Sequence, residues 1–150
     1  MIDCKFENGN KANLRHAVTD ALAIRDGKIA LVKRANRLTN PGKWALSGGF
    51  AERDTSLEQN ALKELREETG LDGDIVRLFK VVDDHKSPNK DDRQCVKFVY
   101  EIKASGRISS SDEGEARWFD FKELPKEGEF AFDHFEIVKE FIKEKGQIKK

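Results

Sequence analysis

The chain has 150 residues, enough for a single domain with a buried core. Hydrophobic and charged residues each make up 37% of it, which is too apolar for a disordered chain. Its 28 basic residues balance 28 acidic ones, so no overall positive field draws it to nucleic acid or to an anionic membrane.

The opening segment, MIDCKFENGNKANLRHA, contains no apolar run of signal-peptide length. No stretch reaches the roughly 18 apolar residues of a membrane span. Cys4 and Cys95 stand far apart, in neither CxxC nor zinc spacing, and read as reduced thiols. A cytoplasmic protein is the expectation. The first predicted elements form a hairpin: a strand from Ala17 to Ile24, a turn at Arg25-Asp26-Gly27, and a strand from Lys28 to Lys33. The Asp-Gly pair supplies the positive φ of such turns. A loop with Asn-Pro-Gly turn chemistry follows, from Asn36 to Trp44. The segment WALSGGF reads as a short extended piece broken by Gly48-Gly49.

A helix from Leu57 to Thr69 comes next. Thr55 with Glu58, or Ser56 with Gln59, would complete a capping box at its start. Leu57, Ala61 and Leu65, with Leu62 beside them, make a stripe for the core. Gly70 suits the left-handed residue that ends a helix, and Leu71 can fold back as its apolar partner. Two strands follow, Asp74 to Asp84 and Arg93 to Ala104, joined by the polar loop DDHKSPNKDD. In the second, Val96, Phe98, Tyr100 and Ile102 alternate with Cys95, Lys97 and Glu101. A short strand from Glu115 to Phe121 precedes a last helix, Phe132 to Lys145, whose inner side carries Phe135, Val138, Phe141 and Ile142. The order β-β-β-α-β-β-β-α suggests a mixed sheet covered by helices, an α/β fold.

Glu64, Glu67 and Glu68 stand at i, i+3 and i+4, so they are neighbours on one helical face. Like charges there repel unless something neutralises them. Taken alone, the triplet also fits a solvated face partnered by Lys63 and Arg66. A glycine pair just before the helix lets backbone carbonyls approach an ion closely. Clustered carboxylate and carbonyl oxygens are the ligand set of a hard cation such as Mg²⁺ or Mn²⁺, which commonly also binds substrate phosphates.

This segment resembles the box of the Nudix family, G-x5-E-x7-R-E-U-x-E-E-x-G-U with U aliphatic. Gly49, Glu64, Leu65, Glu67, Glu68, Gly70 and Leu71 match; Thr55 stands where the pattern has Glu, and Lys63 where it has Arg. The preceding LVKRANRLTNPGKWALSGGF also looks like the family's approach to the box, with Ser47 where proline is usual. The resemblance implies one α/β/α sandwich domain with a mixed sheet, hydrolysing a nucleoside diphosphate linked to another moiety. It implies Glu64, Glu67, Glu68 and the carbonyl of Gly48 or Gly49 as ligands of Mg²⁺, with Mn²⁺ as a substitute. Glu67 and Glu64 are then catalytic, and Glu67 or Glu68 orients or deprotonates the attacking water. A glutamate after the long strand often assists; Glu113 is the first candidate and Glu115 the second. In the family the box Glu and Arg brace the loop against the helix. Here a coupled loss is expected, with a cap from Thr55 in its place; Asp54 is one residue out of register. The rival reading is a weakened metal site.

FAFDHFEIVKEFI looks like the C-terminal stretch of ADP-ribose pyrophosphatases and related repressors, matching at Ala131, Phe132, Asp133, His134 and Ile137. An ADP-ribose-like sugar nucleotide is therefore the leading substrate, with an oxidised or ordinary nucleoside triphosphate second and a non-hydrolysing nucleotide sensor third. A sensor of the repressor kind would carry a DNA-binding domain, for which the chain's end at Lys150 leaves no room. Arg34 is expected to contact phosphate. Trp44 and Phe50 are candidates to stack on a base or wall the pocket, with core packing the favoured role for Trp44. Trp118 is assigned to the core. Asp133 is expected to cap the last helix and His134 to bond locally at its start. His85, with Lys86 and Lys90, reads as part of a surface loop. The partner is a small nucleotide, and the resemblance leans toward a homodimer.

Overall fold

The computed structural model describes residues 2–85 and 94–148. Lys86 and Lys90 lie outside the described residues. A seven-stranded sheet runs β5 (Trp44–Ala45), β4 (Lys28–Arg34), β3 (Ala17–Arg25), β8 (Val96–Ser105), β7 (Asp72–Asp83), with β6 (Ser47–Phe50) paired to β3 and β9 (Gly114–Asp120) paired to β4. Strands β3 and β8 are parallel from Ala17–Val96 to Ile24–Lys103, and the other pairs are antiparallel, so the sheet is mixed.

The hairpin of β3 and β4 stays joined only near its turn, at Ile24–Ile29 and Arg25–Lys28. Beyond that point the two strands part. Strand β6 takes the side of β3 from Val18 to Ala21, while β4 pairs with β5 and β9. The splayed end of this hairpin is where the cavity described below opens.

Helix α1 spans Leu57–Thr69 and α2 spans His134–Ile148. Of the two caps open for α1, Ser56 is used. Its Oγ accepts the Gln59 N–H at 3.1 Å, and Gln59 Oε1 accepts the Ser56 N–H at 3.1 Å. Gly70 ends the helix at φ 72°, its N–H donating to the Arg66 carbonyl at 2.9 Å. The helices cover opposite faces. Under α1 lie Ala21, Ala23, Ala30, Leu71 and Ile102 with Ala61 and Leu65, small residues that let the helix approach the sheet. Under α2 lie Leu22, Leu31 and Val99 with Ile137, Val138 and Phe141. This is the α/β/α sandwich the sequence led us to expect.

Phe141 is fully buried, its ring edge-on to Phe79 at 5.4 Å and to Phe121 at 6.4 Å. Phe141→Ala is expected to cost about 3–5 kcal/mol through lost burial plus a cavity, read from the urea midpoint at unchanged slope.

Two features differ from expectation. A separate hairpin, β1 (Ile2–Lys5) with β2 (Lys11–Leu14), precedes the sheet. Its strands are only four residues each, so their apolar alternation, Ile2 and Cys4 against Ala12 and Leu14, is a weak signal; the Asn8-Gly9 pair, with Gly9 at φ 87°, marks the turn. The glycine pair does not break the extended piece after Trp44. The break falls at Leu46, and Gly48 and Gly49 lie inside β6 opposite Asp20 and Thr19. A Cβ on Gly48 would sit 2.3 Å from the Thr19 carbonyl oxygen, so glycine here serves close backbone approach. Cys4 and Cys95 form no disulfide with each other, and among the described residues no helix is long and apolar enough to cross a membrane.

Candidate active site

The box glutamates diverge. Glu68 is 6% exposed, and the Gly48 N–H points at its Oε1 from 3.4 Å. Burial, then the charges of Glu113 and Glu64, push its carboxyl up to about 9. Glu64 is half-buried against Gly49, where a Cβ would lie 2.6 Å from its Cδ. Burial, followed by repulsion from Glu67, raises its carboxyl as well, with Glu113 adding to the effect. Glu113 reaches the same cavity from the loop before β9, whose fold is fixed by the Ala35 N–H donating to the Glu113 carbonyl at 3.0 Å. Glu115 turns away and pairs with Arg117 at 2.6 Å.

Glu67 does not line the cavity. Its side chain is 55% exposed and lies 3.5 Å from Lys63 Nζ. Lys63 also donates to both carboxylate oxygens of Glu52 at 3.1 Å. The expected loss of the loop brace is corrected by this contact: Glu52, three residues before Thr55, ties the loop to the helix. Asp54 pairs with neighbouring Arg53 at 3.5 Å instead.

The cavity has a volume of about 530 Å³. Gly48, Gly49 and Phe50 form one wall with Glu64 and Glu68 at its edge, and Arg34, Arg37 and Glu113 form the other. Arg34 is held by Thr39, donating through Nε to its carbonyl at 2.5 Å and through a terminal nitrogen to its Oγ1 at 3.0 Å. Its guanidinium lies 5.0 Å from the Phe132 ring centroid. Phe50 is 45% exposed on the cavity wall and leans on His16 at 4.7 Å. Trp44 is the correction: at 7% exposure it sits in the core, edge-on to Phe119 at 4.7 Å, and does not line the cavity. Its neighbour in β4, Lys33, and Arg117 cover it from outside, so its ring has no face left for a ligand. His85 is likewise outside, pairing with Asp83 at 3.2 Å. Trp118 is half-buried against the α1-side core.

The cavity floor is polar, which the alternating pattern of the strands conceals. Asp20, Lys97 and His134 line it at 3%, 6% and 3% exposure. Lys97 Nζ lies 2.6 Å from Asp133 and 3.6 Å from Asp84. Burial pushes Asp133 up, yet the Lys97 hydrogen bond outweighs it and holds the carboxyl below its ordinary range. So Asp133 turns its side chain to Lys97 rather than to its own helix. His134 does not bond locally either: its Nδ1 accepts the Leu46 N–H at 3.0 Å. The sequence signal for this floor is an Asp and a Lys inside VTDALAI and VKFVYEI, runs apolar enough on the whole to be buried although the second also carries Glu101.

The family model of the NUDIX domain matches residues 14–141. The chain belongs to the Nudix family. The ADP-ribose pyrophosphatase of Methanocaldococcus jannaschii is 35% identical over 129 residues, covering 83% of this Nudix chain and 71% of that one. The CTP pyrophosphohydrolase of Escherichia coli is 40% identical over 58 residues, 39% of this chain and 43% of that one. The crystal structure of a MutT NUDIX hydrolase from Burkholderia pseudomallei superposes with TM-score 0.72 at 27% identity, covering 85% of this chain and 98% of that one. The protein is a Nudix hydrolase.

The donor set suits a hard divalent cation. Carboxylate oxygens of Glu64, Glu68 and Glu113 interact across one cavity edge, and a glycine backbone lies beside them. Among the described residues no three acidic, imidazole or thiol groups already converge to ligation distance. A cation would have to draw them together, displacing the proton held on Glu68.

Proposed function

We propose that this Nudix hydrolase cleaves the pyrophosphate bond of a nucleoside diphosphate derivative in the presence of Mg²⁺, with Mn²⁺ as a substitute. An ADP-ribose-like sugar nucleotide, giving AMP and ribose 5-phosphate, is the leading substrate. The observation that carries this reading is the mutual repulsion of Glu68, Glu64 and Glu113 at a buried cavity edge beneath the Gly48 N–H. Likeness to the M. jannaschii ADP-ribose pyrophosphatase over 83% of the chain supports the substrate class.

Glu64, Glu68 and the Gly48 carbonyl would hold the cation, with Glu113 closing the set. When bound, it would neutralise diphosphate charge and lower the pKa of a water. The chain's own groups do the rest. Arg34, oriented by Thr39, offers a planar fork to phosphate oxygens. Phe50 supplies an apolar wall for the organic part. Among the described residues, Glu67 is held by an exposed contact with Lys63 at 3.5 Å, and from there it would turn inward to orient or deprotonate the water.

A panel of ADP-ribose, other nucleotide sugars, dinucleotides and nucleoside triphosphates, with Mg²⁺, Mn²⁺ or EDTA, tests the reading. AMP release from ADP-ribose that stops in EDTA is the expected result. Preferred turnover of a triphosphate would favour the second reading, for which the E. coli CTP pyrophosphohydrolase likeness speaks. Tight nucleotide binding with no turnover of any compound would overturn the hydrolysis and leave a sensor.

A further inference from the structure

Among the described residues, Phe132 is the one aromatic residue at positive φ. Its φ is 54°, and the other non-glycine residues there are Asp26, Asn40, Asp54 and Gln94. Asp and Asn tolerate this region through local hydrogen bonds, which a benzyl group cannot make. The chain on both sides fixes Phe132 in it. Phe130 bridges Trp44, and the Ala131 N–H donates to the Trp44 carbonyl at 2.8 Å. On the other side Asp133 holds Lys97 at 2.6 Å, and His134 Nδ1 accepts the Leu46 N–H at 3.0 Å. Glycine would meet these anchors at lower cost, so the ring is explained by what it faces.

It does not face the core. Phe130 and Phe135 pack into the cluster under α2, whereas Phe132 joins neither hydrophobic cluster. It is 43% exposed and lines the cavity. Polar groups lie over and beside it: the Arg34 guanidinium 5.0 Å from its centroid, Lys97 Nζ at 6.0 Å, and the His134 ring at 5.2 Å, tilted by 57°. An apolar ring left open in a recess, with cations about it, is placed for a flat π-ligand rather than for packing. The anion of such a ligand has its own partner next to the ring, because Thr39 orients the Arg34 fork. An anion and a flat heterocycle side by side are the two ends of a nucleoside monophosphate.

We infer that Phe132 is a specificity-determining residue: its ring stacks on the nucleobase of the substrate half whose phosphate Arg34 binds. This rests on the nucleotide reading above and adds to it which residue reads the base. Stacking ignores the hydrogen-bonding edge of a base. The ring therefore separates ligands that carry a flat heterocycle from ligands that do not, and discriminates only weakly among bases.

Titration calorimetry with AMP and with ribose 5-phosphate, in Mg²⁺, tests this, weak binding being read by displacement. Both ligands are phosphate monoesters of ribose, and only AMP carries a base. Wild type should bind AMP at least about tenfold more tightly. Phe132→Leu, apolar but not planar, should bring AMP down to the affinity of ribose 5-phosphate and leave the latter unchanged. In Phe132→Trp the preference should persist. Its fluorescence should be quenched by AMP beyond the response of Trp44 and Trp118 in wild type, and ribose 5-phosphate should not quench it. A ring that only steadied Arg34 would instead weaken both ligands alike in Phe132→Leu. That result overturns the inference. So does equal binding of the two ligands by wild type, a preference that survives in Phe132→Leu, an unquenched Phe132→Trp, or no binding of AMP at all. Phe132→Asn, whose side chain suits the left-handed backbone, serves if the leucine variant does not fold. ADP-ribose turnover measured on the same wild-type sample keeps the readings apart. Turnover without a preference for AMP sinks the role of Phe132 alone; a preference that depends on Phe132, without turnover, sinks hydrolysis alone.

Discussion

Glu68→Gln should melt at a higher temperature than wild type in EDTA at pH 8, and yet turn over substrate at least about a hundredfold more slowly. The first half follows from burial. In the folded chain the Glu68 carboxyl titrates at about 9 against an ordinary value of 4.5. Between those values the folded protein keeps a proton that the unfolded chain has released. Stability is therefore fully present below the unfolded value and is lost as pH rises toward the folded one. Glutamine carries no such proton, so the variant's metal-free melting curve should be flatter from pH 5 to 9. The second half follows because the amide has no charge to offer a cation. Melting scans across this pH range, in EDTA and in Mg²⁺, decide the matter, and parallel slopes for the two proteins would show that Glu68 does not titrate as a buried acid. In wild type, Mg²⁺ should flatten the slope by taking the proton's place.

Gly48→Ala and Gly49→Ala should fail in opposite ways. At Gly48 the new methyl would meet the Thr19 carbonyl oxygen at 2.3 Å, which is backbone of the neighbouring strand. Nothing there yields without moving β3 from β6, so a loss of about 1–3 kcal/mol or more, read in urea, is expected. At Gly49 the atoms nearest the methyl would all belong to the Glu64 carboxyl group, with its Cδ at 2.6 Å. That end of the side chain can swing aside. Stability should then stay within about 1 kcal/mol of wild type while kcat falls at least about tenfold, because Glu64 is pushed off the cavity edge. A Gly49→Ala protein with wild-type kcat would show that the position of Glu64 is immaterial.

Local features of the chain were easy to read and non-local ones were not. Helix α1 was legible to the residue, since Ser56, the leucine stripe and Gly70 each act within a few positions. The glutamate spacing was equally local, and it put three acids on one turn. It did not say which would be buried. Glu68 faces β6 and Glu67 faces water because of where the sheet lies beneath the helix, a matter of tertiary packing. Trp44, a pocket candidate for which core packing was the favoured role, is indeed enclosed by β4 and β9. Asp20 and Lys97 were hidden for a related reason. They meet only because β3 and β8, 79 residues apart in register from Ala17–Val96 to Ile24–Lys103, lie parallel. Glu52 escaped notice because the family pattern directs attention to Thr55.

The parting of β3 from β4 after two paired residues has a bearing on how such a protein can change. The gap between these strands is propped open by main chain, with β6 along β3 and β5 along β4 as spacers, and owes nothing to the size of any group that faces it. Exchange of a floor or wall residue therefore alters the chemistry of the recess without closing it. Descendants of one ancestor can adopt new ligands by point replacement while the architecture stays put. A designer wishing to redirect this chain would start with those facing positions and leave the spacers alone.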